Sequence, residues 1–432
     1  MNKDSSKINL NDFLEKMNKM MSKPDIAAMN EARAHLDAIA KPLDGLGKFE
    51  HILVKIAGIT GNPRLDLSVK KVLVLCSDNG IVEEGISQSG QDVTKAVAIS
   101  LSKGSSSVCR MAGATSASVT PVDMGIACDK TPDGVVSLVE SDIENDDHAE
   151  SVAGSLNDTK KTTDGHMEDD PSKNGDRKYL TTYKRRGSRN FMKEPAMTAE
   201  EVMHAINVGR LLVKEEADKG TKIIATGEMG IGNTTTSSAL AAMLLGKDAS
   251  QTAGRGAGLD DAGLKHKIDI INAAIEKYKD DSDLSCFFKS NKACDIRSLD
   301  DDTRQKYATF AFKALTIFGG YDIAGMVGIF LGGSIYKVPI VIDGLISATA
   351  ALVAQYLFPG VSDYMIPSHL GKEPAMKEIL SELYLDPVIC ADLALGEGTG
   401  AVMLFPLLDQ VLAVYNGNTT FDDISVDRYH RF

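Results

Sequence analysis

Two glutamates in this chain stand inside glycine-rich runs. One is Gly227-Glu228-Met229-Gly230-Ile231-Gly232-Asn233-Thr234-Thr235; the other is Leu395-Gly396-Glu397-Gly398-Thr399-Gly400. A carboxylate set between glycines projects from a tight turn, because glycine reaches backbone conformations closed to other residues. Two such glutamates on one rim would raise each other's pKa and poise one as a general base near neutrality. For Glu397 the plain alternative is a solvated loop glutamate. The first run also precedes a helix, whose N-terminus favours an anion, and Thr234 and Thr235 add hydroxyl donors. No Gly-Lys-Ser/Thr closes it, so it is not a Walker A loop, and it lacks dinucleotide-fingerprint spacing.

A third run is Gly254-Arg255-Gly256-Ala257-Gly258-Leu259-Asp260-Asp261. Its backbone, Arg255 or Lys267 could touch a phosphate. A helix cap at Asp260 with a surface lysine fits the spacing better. His369, in Pro367-Ser368-His369, reads as a structural histidine. The chain has no His-Glu-x-x-His, cysteine cluster or aspartate triplet, and no Gly-x-Ser-x-Gly elbow. No metal and no cofactor are therefore expected.

These runs need strands and helices to hold them. Lys71 to Cys76 is a continuous apolar run of the kind found in buried parallel strands. Ala117 to Val122, Lys222 to Thr226 and Val338 to Ile342 repeat it. Helices are expected over 10–41 with a break at Pro24, over 91–103, from a capping box at Thr198 and Glu201 to Asp218, and over 237–245, 260–277, 301–317, 321–331 and 345–357. Strands alternating with helices imply a mostly parallel sheet flanked by helices. Ligands of such sheets sit outside the strands' carboxyl ends. Those ends here carry Ser77-Asp78-Asn79-Gly80, Asp123, Gly227-Glu228 and Asp343-Gly344, which gathers carboxylates on one rim.

Composition sets limits. The 432 residues are 43% apolar and 25% charged, ordinary for a globular chain. A net charge of −13 argues against a nucleic-acid partner. Six scattered cysteines without CxxC spacing read as reduced thiols. No run reaches the ~18 apolar residues of a membrane span, and Met1 to Leu10 is polar, so a cytoplasmic protein is expected. Residues 129–180 are acidic and polar, too poor in apolar surface to offset chain entropy, and are expected to be disordered. Lys184, Arg185, Arg186 and Arg189 follow and could simply balance that acidity.

Taken together, these stretches resemble the nicotinate-nucleotide:dimethylbenzimidazole phosphoribosyltransferases. The resemblance rests on Lys41-Pro42 with Gly45-Leu46-Gly47, Ser77 to Gly80, Glu84 to Ser87, Gln91 to Thr94, Arg189-Asn190, Glu194 to Thr198, Thr226 to Thr235, Gly254 to Gly256 with Gly258 to Asp260, Gly319-Gly320, Asp343-Gly344, Ser368-His369 and Gly396 to Gly400. It spans the chain except about 129–180. It implies transfer of ribose 5-phosphate from nicotinate mononucleotide to a benzimidazole nitrogen, with inversion from β to α, in cobalamin lower-ligand assembly. By resemblance Glu397 is the general base and Glu228 a second catalytic glutamate facing the positive ribose. Gly230, Gly232, Asn233, Thr234, Thr235, Lys267, Asp343 and Ser368 would hold the phosphate or nucleotide, and Ser87 and Gln91 the base. A Rossmann-like large domain with a small helical subdomain, and a homodimer, are implied too. The expected parts are 1–45 (small helical domain), 46–128 and 181–400 (large domain), 129–180 (insert) and 401–432 (C-terminal helical part).

One departure is Asp78-Asn79-Gly80, where many relatives have Asp-His-Gly. Other readings stay open at this level: a purine or phenolic acceptor, or a catalytically silent nucleotide-binding protein. A plain structural α/β chain leaves the glycine-rich acidic turns unexplained.

Overall fold

A computed structural model describes residues 9–137, 187–285 and 295–431. Helices α1 (Leu10–Met20), α2 (Ile26–Ala38) and α3 (Lys48–Thr60) lead into strand β1 (Lys70–Ser77). Next come α4 (Asp92–Ser102), α5 (Ser107–Gly113), β2 (Ala117–Gly125) and β3 (Val136–Ser137). After residue 187 follow α6 (Ala199–Asp218), β4 (Ile223–Met229), α7 (Asn233–Leu245), α8 (Asp261–Lys277), α9 (Asp301–Phe318) and α10 (Tyr321–Tyr336). The chain continues through β5 (Ile340–Ile342), α11 (Leu345–Leu357), β6 (Met365–Pro367), β7 (His369–Leu370), α12 (Met376–Glu382), β8 (Ile389–Cys390) and α13 (Thr399–Gly417).

Six strands form one parallel sheet in the order β3-β2-β1-β4-β5-β6. The chain builds outward from β1 in one direction and then from β4 in the other. This is the doubly wound Rossmann-like order, and the switch point between β1 and β4 opens a crevice outside their carboxyl ends. Side chains of β1 alternate between two cores. Leu73 and Leu75 join one with α6, α7, α9, α10 and α11. Val72, Val74 and Cys76 join the other with α2, α3 and α13. Burial on both faces explains the unbroken apolar runs.

The expected helices correspond closely to the observed ones. Thr198 and Glu201 form the capping box of α6, and Arg189 clasps Glu201 at 2.6 and 3.1 Å rather than only balancing the acidic stretch. Helix α7 begins four residues before the expected Ser237, because Gly232 turns with φ +95° and lets Asn233 enter the helix. Strand β6 escaped the sequence reading: three residues ending in proline give little signal, and proline is tolerated there because β6 is an edge strand. The start of the acidic stretch is not disordered as expected, since Val136 pairs with Val122; residues 138–180 lie outside the described residues. Among the described residues, α13 is the one helix long and apolar enough to cross a membrane. Its inner face, with Leu404, Phe405 and Leu408, is fully buried in the second core.

Candidate active site

Strand β4 carries Glu228 to the switch point, where its side chain is buried. Its carboxyl accepts a hydrogen bond from the Asn233 Nδ2 amide, which also donates to Asp322 Oδ2 at 3.2 Å. One amide thus bridges two carboxyls. Burial first, and then the Asp322 charge, push the Glu228 carboxyl up to about 8. Asp322 rises to about 6, again chiefly by burial. Glu397 makes only a small contribution at Glu228, so the expected mutual elevation of two glutamates is corrected: burial and Asp322 dominate.

Glu397 sits on the turn before α13. Gly396, Glu397 and Gly398 all have positive φ, at +85°, +61° and +91°. Three consecutive left-handed residues account for the flanking glycines. The turn is also tightly crossed: a Cβ on Gly400 would lie 2.1 Å from His369 Cε1. Asp343, just after β5, pins the turn. Its Oδ2 accepts from Gly398 N at 3.1 Å and its Oδ1 from Ala401 N at 2.9 Å. The Glu397 carboxylate accepts from Val108 N at 3.4 Å, and burial holds its pKa above the usual carboxylate value.

Both glutamates line one cavity of about 310 Å³ at the carboxyl ends of β4 and β5. Gly230, Asn233, Thr234 and Asp343 line it as well. Gly232 and Ser87 instead line a smaller neighbouring hollow, together with Arg255. Lys267 is fully buried behind the wall, donating to Thr234 Oγ1 at 3.0 Å and Gly254 O at 3.1 Å. Burial pushes its amine down to about 8, against the attraction of Glu373. Thr235, Ser368 and Gln91 line neither space. Thr235 is buried in α7, Ser368 donates to Ile342 O at 2.6 Å, and Gln91 precedes α4. Arg255 donates to Leu259 O at 3.0 Å and pairs with Asp261, while Asp260 caps α8.

The sequence reads His369 as structural, and several other cavity residues leave no mark in it. His369 lines the wall, its Nδ1 2.8 Å from Ser368 Oγ. Val93 and Val97, one turn apart on α4, give an apolar wall beside Ser89. Glu373 lines the cavity, whereas Asp322 reaches the site only through Asn233. The signal for Asp322 was its place after Gly319-Gly320; the valines had none beyond helical spacing. Asn79 is fully buried and accepts from Thr236 Oγ1 at 3.3 Å, so it ties the loop after β1 to α7 and does not line the cavity.

A family model described as phosphoribosyltransferase matches residues 21–426. The chain belongs to this phosphoribosyltransferase family. Its relatives include the nicotinate-nucleotide–dimethylbenzimidazole phosphoribosyltransferase of Acetivibrio thermocellus, 35% identical over 401 residues, covering 93% of this chain and 94% of that one. The enzyme of the same name from Clostridium acetobutylicum is 34% identical over 416 residues, covering 96% and 98%. Among solved structures, CobT from Thermus thermophilus superposes with a TM-score of 0.69 at 27% identity, covering 93% of this chain and all of that one. A second structure from that organism, a nicotinate-nucleotide-dimethylbenzimidazole phosphoribosyltransferase, gives 0.70 at 26% identity, covering 94% of this chain and 100% of that one.

Proposed function

We propose that this chain transfers the ribose 5-phosphate of nicotinate mononucleotide to 5,6-dimethylbenzimidazole, giving α-ribazole 5'-phosphate and nicotinate for the cobalamin nucleotide loop. The observation that carries this reading is the meeting of Glu228 and Glu397 on one cavity at the sheet's switch point, in a chain of this family.

An azole nitrogen attacks the anomeric carbon with its lone pair. The ribosyl–pyridinium bond breaks and its electron pair leaves with the nicotinate nitrogen. The acceptor's remaining N–H becomes acidic as its other nitrogen forms the bond, and Glu397 takes that proton. Burial raises the Glu397 carboxyl towards the working pH, which suits a base. Glu228 holds its proton near neutrality, contrary to a permanently charged partner for the ribose. A cationic pyridinium beside it favours its ionised form.

The phosphate end is the start of α7 with Thr234, backed by Lys267. Because Lys267 donates to Thr234 Oγ1, that hydroxyl keeps its own hydrogen for a phosphate oxygen. Gly230, Gly232 and the neighbouring hollow with Ser87 extend this end. Asn233 and Asp343, assigned to the nucleotide by resemblance, are bound to the protein through their side chains and serve to hold Glu228 and the Glu397 turn. Thr235 and Ser368 are buried behind the walls, and Gln91 precedes α4. Val93 and Val97 offer the flat base its apolar contact.

The working form in this reading is a cytoplasmic homodimer, for which exposed Met403 on α13 and exposed Leu395 before it offer apolar surface; light scattering in solution checks it. The test of the function is incubation of the purified protein with both substrates and chromatography of the products. Equal amounts of α-ribazole 5'-phosphate and nicotinate support it. No product from this base, a purine or a phenol overturns it in favour of a silent binder.

A further inference from the structure

We propose that His369 reads the sugar of the donor: its Nε2 accepts a hydrogen bond from a ribose hydroxyl. The inference rests on nicotinate mononucleotide being that donor.

The ring is set by its neighbour. The Ser368 hydroxyl lies 2.6 Å from Ile342 O, and a carbonyl can only accept, so this bond takes the hydroxyl's one hydrogen. Ser368 Oγ is also 2.8 Å from His369 Nδ1. With its hydrogen spent, the oxygen can only accept there, so Nδ1 carries the ring's hydrogen. In the neutral ring Nε2 is then a lone-pair acceptor. It meets no hydrogen-bond partner among the described residues.

Two glycines flank the ring and line the cavity with it. Gly400 lies against Cε1 and Nδ1, where a Cβ would come within 2.1 and 2.3 Å. Gly371 lies on the other side, where a Cβ would sit 3.6 Å from Nε2. Gly371 is not among the residues of positive φ, so no backbone strain calls for a glycine there. Its missing side chain leaves Nε2 uncovered.

Charge decides which ligand group meets that nitrogen. Asp343 draws a proton towards the ring, but burial outweighs it and holds the imidazole below its ordinary value. The other titratable groups around the cavity are the carboxyls of Glu228, Glu373 and Glu397. A neutral Nε2 needs a donor. The carboxylate of nicotinate mononucleotide only accepts, and so does its phosphate once doubly ionised near neutrality. The N–H of the azole goes to Glu397. The 2′ and 3′ hydroxyls of the ribose are the donors left.

The test compares nicotinate mononucleotide with its 2′-deoxy and 3′-deoxy analogues and with nicotinamide mononucleotide, as kcat/KM at fixed dimethylbenzimidazole. The enzymes are wild type, His369→Ala and Gly371→Ala. The last keeps the ring and its Ser368 bond and sets a methyl against Nε2 at an ordinary contact distance. Wild type should lose about ten- to a hundredfold on one deoxy analogue, because Nε2 is left unpaired. Both variants should lose about as much on nicotinate mononucleotide itself and little more on that analogue. Their penalty on the other analogue and their preference over nicotinamide mononucleotide should hold. If His369→Ala fails to fold, Gly371→Ala decides alone. A wild type indifferent to both deoxy analogues, or variants that keep its full penalties, overturn the inference and leave the function in place. So do variants that lose the preference for nicotinate over nicotinamide instead, the mark of an imidazolium on the carboxylate. A wild type that makes no product from nicotinate mononucleotide overturns the function and the inference together.

Discussion

Replacing Glu228 with glutamine should make the protein more stable in mild alkali. Folding moves the Glu228 carboxyl from its ordinary 4.5 to about 8, by burial and by the neighbouring Asp322. Once the pH passes the lower value, the unfolded chain has lost a proton that the folded chain keeps. Stability therefore falls as pH rises through that window, by about 1.4 kcal/mol per unit, with a ceiling of about 5 kcal/mol in all. Glutamine keeps the shape and an acceptor for the Asn233 amide but does not titrate. Asp78 and Asp322, raised to about 6, His204, lowered to about 4, and Lys267, lowered to about 8, act in both proteins. To first order they drop out of the difference, apart from the relief of Asp322 itself. Urea melts of both proteins from about pH 5 to about pH 9 measure it. The variant's advantage should widen up to about pH 8 and then level off. Parallel curves would refute the reasoning that a buried, protonated Glu228 stands beside Asp322.

Lys267→Met should raise the KM for nicotinate mononucleotide more than it lowers kcat, since Lys267 backs the phosphate end through Thr234; steady-state kinetics decides it. In wild type, nucleotide binding should weaken as pH rises past about 8, where Lys267 loses its charge, and calorimetric titration across that range measures it. Gly400→Ala should cost ~1–3 kcal/mol in thermal unfolding and impair turnover, because its Cβ would press on the His369 ring.

Much of this fold was legible because its strands are buried on both faces and its helices carry caps. The runs at Lys71 to Cys76 and Lys222 to Thr226 needed no partner to be recognised, and Thr198 with Glu201 announced α6. The edge strands did not announce themselves: Val136–Ser137 is two residues long in a polar stretch, and Met365–Pro367 ends in proline. The two glutamate runs were legible, that of Glu397 for a local reason. A residue at φ +61° between two left-handed glycines leaves a sequence signature. What surrounds them was not. Asp322, His369 and Val93 come from separate elements, and only the folded sheet brings them to Glu228 and Glu397. The roles of Asn233 and Asp343 turn on which atoms their side chains meet, which spacing cannot reveal.

The central claim is that this cavity moves a ribose 5-phosphate onto an azole with Glu397 as the base. The most direct measurement is single-turnover formation of α-ribazole 5'-phosphate from nicotinate mononucleotide and dimethylbenzimidazole by wild type and by Glu397→Gln, both checked for unchanged melting. The account predicts product from wild type and a rate ~10²–10⁴-fold lower in the variant. A folded variant that matches wild type, or a wild type that makes no product, would contradict it.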